Sequence, residues 1–159
     1  MTSKWHKTVI AIFFLISSVT ALAQDDEASL MTYDLATRAM NAAETYARNQ
    51  EWNVTILITD QNNNPVMLRR IDGAGARTFD FATAKALVVN ATGLTSGEYG
   101  SRVQAGDIEE IEGGVTFAGG VPVYVNGQRI GAIATSGVRA LQDEEASIAG
   151  AEAIGSASN

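Results

Sequence analysis

Three groups of residues carry types and spacings that could do chemistry. Lys85 lies among Ala82, Thr83, Ala84 and Ala86, on a stretch with an apolar side. A lysine so placed is either a desolvated group able to hold a ligand or form a Schiff base, or a stem laid on apolar surface with its ammonium in water. Gly119-Gly120-Val121-Pro122 could turn backbone amides toward a carboxylate or phosphate, or be a tight turn between strands. No Gly-Lys-Ser/Thr follows it, and it lacks the spacing of a dinucleotide fingerprint. Asp107, Glu109, Glu110 and Glu112 form an acidic knot. On a helix, Glu109 and Glu112 would share a face and could hold a hard cation through oxygen; off a helix they are a solvated acidic loop.

Missing residue types narrow the choice. The chain has no Cys, and its only histidine is His6. Disulfides, thiolate metal sites and thiol catalysis are therefore excluded. His6 falls in a segment with the parts of a secretory signal. Lys4, His6 and Lys7 make a basic head, Val9 to Val19 is apolar, and Ala21-Leu22-Ala23 closes it, which predicts cleavage after Ala23. Ser17, Ser18 and Thr20 interrupt the apolar run before the roughly 20 residues a membrane crossing takes, so no stable membrane anchor is expected. The product, beginning at Gln24, is expected in the periplasm or outside the cell, without imidazole. Histidine-based triads and zinc sites then drop out.

Removing residues 1–23 takes two lysines and moves the net charge from −7 to −9. An acidic surface repels phosphate backbones, so nucleic acid is not an expected partner. Of 159 residues, the 23 of the signal leave 136, enough for one domain with a real core.

These candidates need elements to position them. Residues 24–31 read as a flexible lead-in and 32–156 as the domain. Leu35, Ala39, Met40, Ala43 and Tyr46 predict a helix over 32–49, capped by Thr32. Alternation predicts a hairpin of strands 54–59 and 66–70. Helices follow over 78–91, with Phe81, Ala84, Lys85 and Val88 along one side, and over 96–103. Asn126-Gly127 joins strands 121–125 and 128–135 as a two-residue hairpin. That register puts Val121, Val123 and Val125 on one face with Ile130, Ala132 and Ala134. Pro122 falls opposite Gly131 and marks an edge strand. A last helix over 143–155 presents Ala146, Ala149, Gly150 and Ala153. Consecutive antiparallel strands with segregated helices make the fold class α+β. All 15 glycines lie at Gly73 or later, so the ligand is expected in the second half.

Arg69-Arg70-Ile71-Asp72-Gly73-Ala74, Ala82 to Ala86, Gly119-Gly120-Val121-Pro122-Val123, Asn126-Gly127 with Ile130-Gly131-Ala132-Ile133, Ser136-Gly137 and Asp143-Glu144 follow one another across residues 30–155. In this order they resemble the GlcG/HbpS-like haem-binding family, also found fused to a cobalamin adenosyltransferase. The resemblance implies a profilin-like domain: a five-stranded antiparallel sheet with flanking helices, assembling as a homo-oligomer. It implies haem as cofactor or ligand and, in secreted members, a role in haem or iron sensing and oxidative-stress protection. Carried over residue by residue, the family's repeated positions are Asp72, Gly73, Lys85, Gly119, Gly120, Pro122, Ser136, Gly137 and Asp143. The candidate ligand-binding set is Asp72, Arg77, Lys85, Gly119, Gly120, Pro122 and Ser136.

The departure is the missing histidine. Haem iron is usually held by His, Cys, Met or Tyr, and beyond the signal the chain offers only Met31, Met40, Met67 and four tyrosines. Haem would then be weakly ligated, or held through its propionates by Arg69, Arg70 or Arg77. The residues favour a binding protein for haem or a similar tetrapyrrole over an enzyme. The alternative is a binding or sensing module for a small carboxylate, using the glycine turn and Lys85.

Overall fold

The computed structural model describes residues 30–158. The expected signal and its cleavage point lie outside the described residues, as does the lead-in up to residue 29. Leu30 donates its N–H to Gln61 Oε1 at 3.0 Å, and Met31 is buried.

Helix α1 (Tyr33–Asn49) starts where a cap is available. Thr32 is extended, and its hydroxyl accepts from Leu35 N at 3.3 Å. Ala36, Ala39, Met40, Ala43 and Ala47 form its buried stripe. Strands β1 (Thr55–Asp60) and β2 (Pro65–Arg70) make the first hairpin. The Asp60 carboxylate shapes their connection by accepting from Asn62 N at 2.9 Å and Asn64 N at 2.8 Å. Helices α2 (Thr78–Thr92) and α3 (Ser96–Ala105) follow. Strands β3 (Gly120–Val125) and β4 (Gln128–Ser136) form the second hairpin, and α4 (Ala140–Glu152) closes the domain.

The sheet is antiparallel with order β2-β1-β4-β3. Because side chains alternate across a strand, β1 serves two cores. Ile56 and Ile58 join the α1 and α4 side with Met40, Val121, Val123, Ile133 and Ala146. Leu57 joins the α2 side with Ala82, Ala86, Val89, Ala132 and Ala134. Among the described residues no helix is long and apolar enough to cross a membrane.

Two expectations are corrected. Among the described residues the sheet has four strands, not five. The segment between α3 and β3 turns at Gly113 (φ +77°) and Gly119 (φ +126°). It lies against α3 so closely that a Cβ on Gly100 would overlap the Thr116 carbonyl. Outside β3 there is one rung only, Tyr124 and Ser156 exchanging both N–H···O bonds at 2.9 Å.

The second correction is register. The turn pairs Val125 with Gln128 and Tyr124 with Arg129 as a two-residue loop requires, but Val123 pairs with Gly131 and Val121 with Ile133. Ile130 is the extra residue of a β-bulge. The faces therefore change: Val121 and Val123 share theirs with Ile133, while Pro122 lies opposite Ala132. Pro122 does sit on an edge strand.

Helix α4 begins three residues earlier than its acidic run. Its buried face is Asp143, Ala146, Ser147, Gly150 and Ala151, and a Cβ on Gly150 would stand 3.0 Å from Ala39 O of α1.

Candidate functional site

Helix α2 is buried on most sides, at Ala82, Lys85, Ala86, Val88 and Val89. Lys85 therefore has no route to water and is 0% exposed. Its ammonium donates to Thr135 O at 2.7 Å and to Asp143 Oδ2 at 2.9 Å. Asp143 comes from the first turn of α4, where the helix dipole favours a carboxylate, and its Oδ1 accepts from Val138 N at 3.0 Å. Ser147 donates to Gly119 O at 2.8 Å and shares a hydrogen bond with Thr135 Oγ1, also 2.8 Å. Burial lowers the Lys85 pKa from its ordinary value, against the pull of Asp143 and Glu144. Glu144, beside this pair, is shifted the other way. Burial raises its pKa, while a hydrogen bond to Thr95 and the charge of Lys85 oppose the rise. Its Oε1 is buried without a hydrogen-bond partner.

Above this ion pair opens a cleft of about 250 Å³, lined by Thr78, Phe81, Phe117, Ser136, Gly137, Val138, Ala140 and Asp143. The Phe81 and Phe117 rings meet edge to face at 5.5 Å. The Arg77 guanidinium stands 4.7 Å over Phe81, and the Lys85 ammonium is 5.2 Å from the Phe117 centroid. Both are cation–π distances. Phe79 and Leu141, neighbours in sequence of Thr78 and Ala140, are exposed, as are Phe117 and Val138. The result is an apolar slot with a neutralised ion pair at its base, a guanidinium over one aromatic wall and an apolar rim.

Of the sequence-predicted residues, Arg77, Lys85 and Ser136 come together here. Gly119 and Gly120 stand behind the ion pair. A Cβ on Gly119 would overlap the Lys85 ammonium and lie 2.8 Å from Thr135 O, and Gly120 N donates to Ser96 Oγ at 2.9 Å. The glycine turn thus makes room for Lys85, and its Gly120 amide is already used. Asp72 is exposed in the turn after β2. Pro122 lines a separate small cleft with Gly93, Thr95, Glu98 and Tyr124. Arg69 pairs with Glu44 at 2.6 Å, and Arg70 bonds the Ala74 carbonyl. Glu109 and Glu112 are exposed and lie on no helix, so the shared helical face does not form. Among the described residues no group of three His, Cys, Asp or Glu side chains is placed to hold a metal.

No Met or Tyr lines the aromatic cleft. Met31 and Met40 are in the core under α1, and Tyr99 is buried with its hydroxyl accepting from Ile111 N at 2.6 Å. A larger cleft, about 470 Å³, runs along α3 past Gly97, Gly100, Ser101, Gln104, Glu110 and Thr116. It has no aromatic wall and no cation. Sequence reasoning missed Phe117, which sits between glycine pairs in a segment without periodicity. Phe81 was visible only as a core position of α2.

Comparison with known proteins gives a consistent picture. Residues 31–152 match the family model described as haem degrading protein HbpS-like. The crystal structure of HbpS is 31% identical, with a TM-score of 0.72 over 78% of this chain and 89% of that one. An uncharacterised 15.0 kDa protein from the dhaT-dhaS intergenic region of Citrobacter freundii is 29% identical over 122 residues, covering 72% of this chain and 86% of that one. A crystal structure of a PduOC:haem complex shares the fold at 23% identity, with a TM-score of 0.72 over 77% of this chain and 94% of that one.

Proposed function

The chain belongs to the HbpS-like family, and from that premise we propose that its aromatic cleft binds a tetrapyrrole, haem above all. The observation that carries this is the Phe81–Phe117 pair under the Arg77 guanidinium. With the two rings 73° apart, a flat conjugated ring stacks on one and meets the other edge-on, both favourable aromatic contacts. Arg77, which has no carboxylate partner among the described residues, suits a propionate. The solved haem complex of PduOC supports the same reading.

The residues fit the ring and a propionate but not a ligated iron. No His, Cys, Met or Tyr lines the cleft, so its walls supply none of the usual axial ligands. The ring is held by contact and charge. Ligand pockets commonly span about 300–1,000 Å³, so a cleft of about 250 Å³ admits one edge of the macrocycle. The remainder meets the exposed Phe79, Val138 and Leu141, and a second copy of the chain seated there would bury it. Such a protein would serve haem or iron sensing and protection from oxidants outside the cytoplasm, after release of residues 1–23.

Haemin titration of the purified protein tests the reading. A Soret shift saturating near one haemin per chain is expected, weakened by Phe117→Ala and by Arg77→Ala. The spectrum of free haemin throughout would sink it. Amino-terminal sequencing of the exported protein should begin at Gln24; a terminus at Met1 would remove the export proposal.

A further inference from the structure

A tetrapyrrole ring and its propionate leave the polar edge of the cleft unused. Ser136, at the end of β4, is 5% exposed and lines the cleft. Its hydroxyl makes no hydrogen bond to any described residue and opens onto the cleft rather than being sealed from water, which leaves it available to a guest. Asp143 lines the same cleft and is 3% exposed. Each of its oxygens accepts one bond, from Val138 N and from Lys85 Nζ, and a carboxylate oxygen can accept a second. The ammonium at 2.9 Å holds Asp143 as an acceptor.

A free donor and a salt-bridged acceptor thus line the same cleft as Phe81 and Phe117. Lys85 already neutralises Asp143, so a neutral ligand adds no buried charge, whereas a carboxylate would confront Asp143 directly. The volume, about 250 Å³, suits one ring or two fused rings.

We propose that this slot recognises a planar lactam. The ring stacks on one phenylalanine and meets the other edge-on, its N–H donates to Asp143, and its C=O accepts from Ser136. This rests on reading the aromatic cleft as the ligand site, though not on haem being the occupant. Lactam rings end the linear tetrapyrroles made when haem is opened oxidatively, and they also occur as free small molecules. The shared chemistry is the adjacent N–H and C=O of a flat ring.

The test titrates the full chain with isatin, a flat lactam, and with N-methylisatin, which lacks the N–H. The wild type should bind isatin about tenfold more tightly than N-methylisatin, as the loss of one hydrogen bond to a charged group implies. Ser136→Ala should weaken isatin binding by a similar factor. Equal binding of the two probes to the wild type overturns the proposal without recourse to any variant, as does undiminished isatin binding by a folded Ser136→Ala protein. If haemin binds and neither lactam does, this inference fails and the haem reading stands. If isatin binds with the expected discrimination and haemin does not bind, the haem reading fails and this one stands. Biliverdin displaced by isatin identifies an opened tetrapyrrole as the source; isatin binding without biliverdin binding identifies a free lactam.

Discussion

At Lys85 an ammonium is enclosed by protein, with Thr135 O and Asp143 accepting hydrogen bonds from two of its three N–H groups. Removing one partner of such a pair strands the other. Lys85→Met should cost roughly 3–5 kcal/mol in urea unfolding, and Lys85→Met with Asp143→Leu should recover much of that loss. Equal stability of the single variant and the wild type would show that the pair is solvated. Glu144 provides the complementary case. Its folded pKa is raised above 4.5 by burial, so its contribution to stability is fully present below the unfolded value and is lost as pH rises through the folded one. Glu144→Gln should therefore be more stable than the wild type at pH 7, with the difference closing toward pH 4. Both expectations concern groups that sequence alone left open. Lys85 read more readily as a snorkelling side chain, because nothing in Ala82 to Ala86 reveals that Phe117, Gly119 and α4 cover it. Phe117 was illegible for the same reason, since its partner Phe81 is 36 residues away.

The elements were more legible than their joints. Thr32 announced α1, and Asn126-Gly127 announced the β3–β4 hairpin, because capping and positive φ are local demands that particular residue types meet. The bulge at Ile130 was not legible. It follows from the approach of Gly131 to Thr59 O, where a Cβ would overlap, and that contact belongs to a strand some 70 residues away. The resemblance alone suggested a fifth strand, and the segment between α3 and β3 lies instead against α3, where Thr116 meets Gly100. Gly119 is where this architecture is least tolerant. With φ at +126° and Lys85, Asp143 and Thr135 around the absent Cβ, Gly119→Ala should lose about 3 kcal/mol or more, overpacking and backbone strain acting together. Thermal unfolding checks this, and a Tm within a degree of the wild type would show that β3 can shift to accommodate a methyl.

For the whole molecule, acidity and the apolar rim act against each other. A net charge of −7 repels like copies, while Leu141 at 69% exposure and Phe79 at 46% invite them. If copies meet at this rim, salt should favour assembly by screening the repulsion. Leu141→Glu should shift native mass spectra toward monomer and weaken haemin binding in parallel. An unchanged oligomer would place the contact elsewhere.

The placement of the sulfur atoms has a further consequence. With no thiol in the chain, methionine is the side chain most open to attack by peroxide. Met31 and Met40 are sealed beneath α1, and Met67 lies on β2, at the far side of the sheet from β3. The walls of the cleft are phenyl rings, hydroxyls, aliphatic groups and the Asp143 carboxylate. A redox-active guest held there would face no sulfur and no imidazole. If haem is the guest, the lack of sulfur and imidazole in the cleft walls would both deny the iron its usual ligands and leave little there for an oxidant to attack.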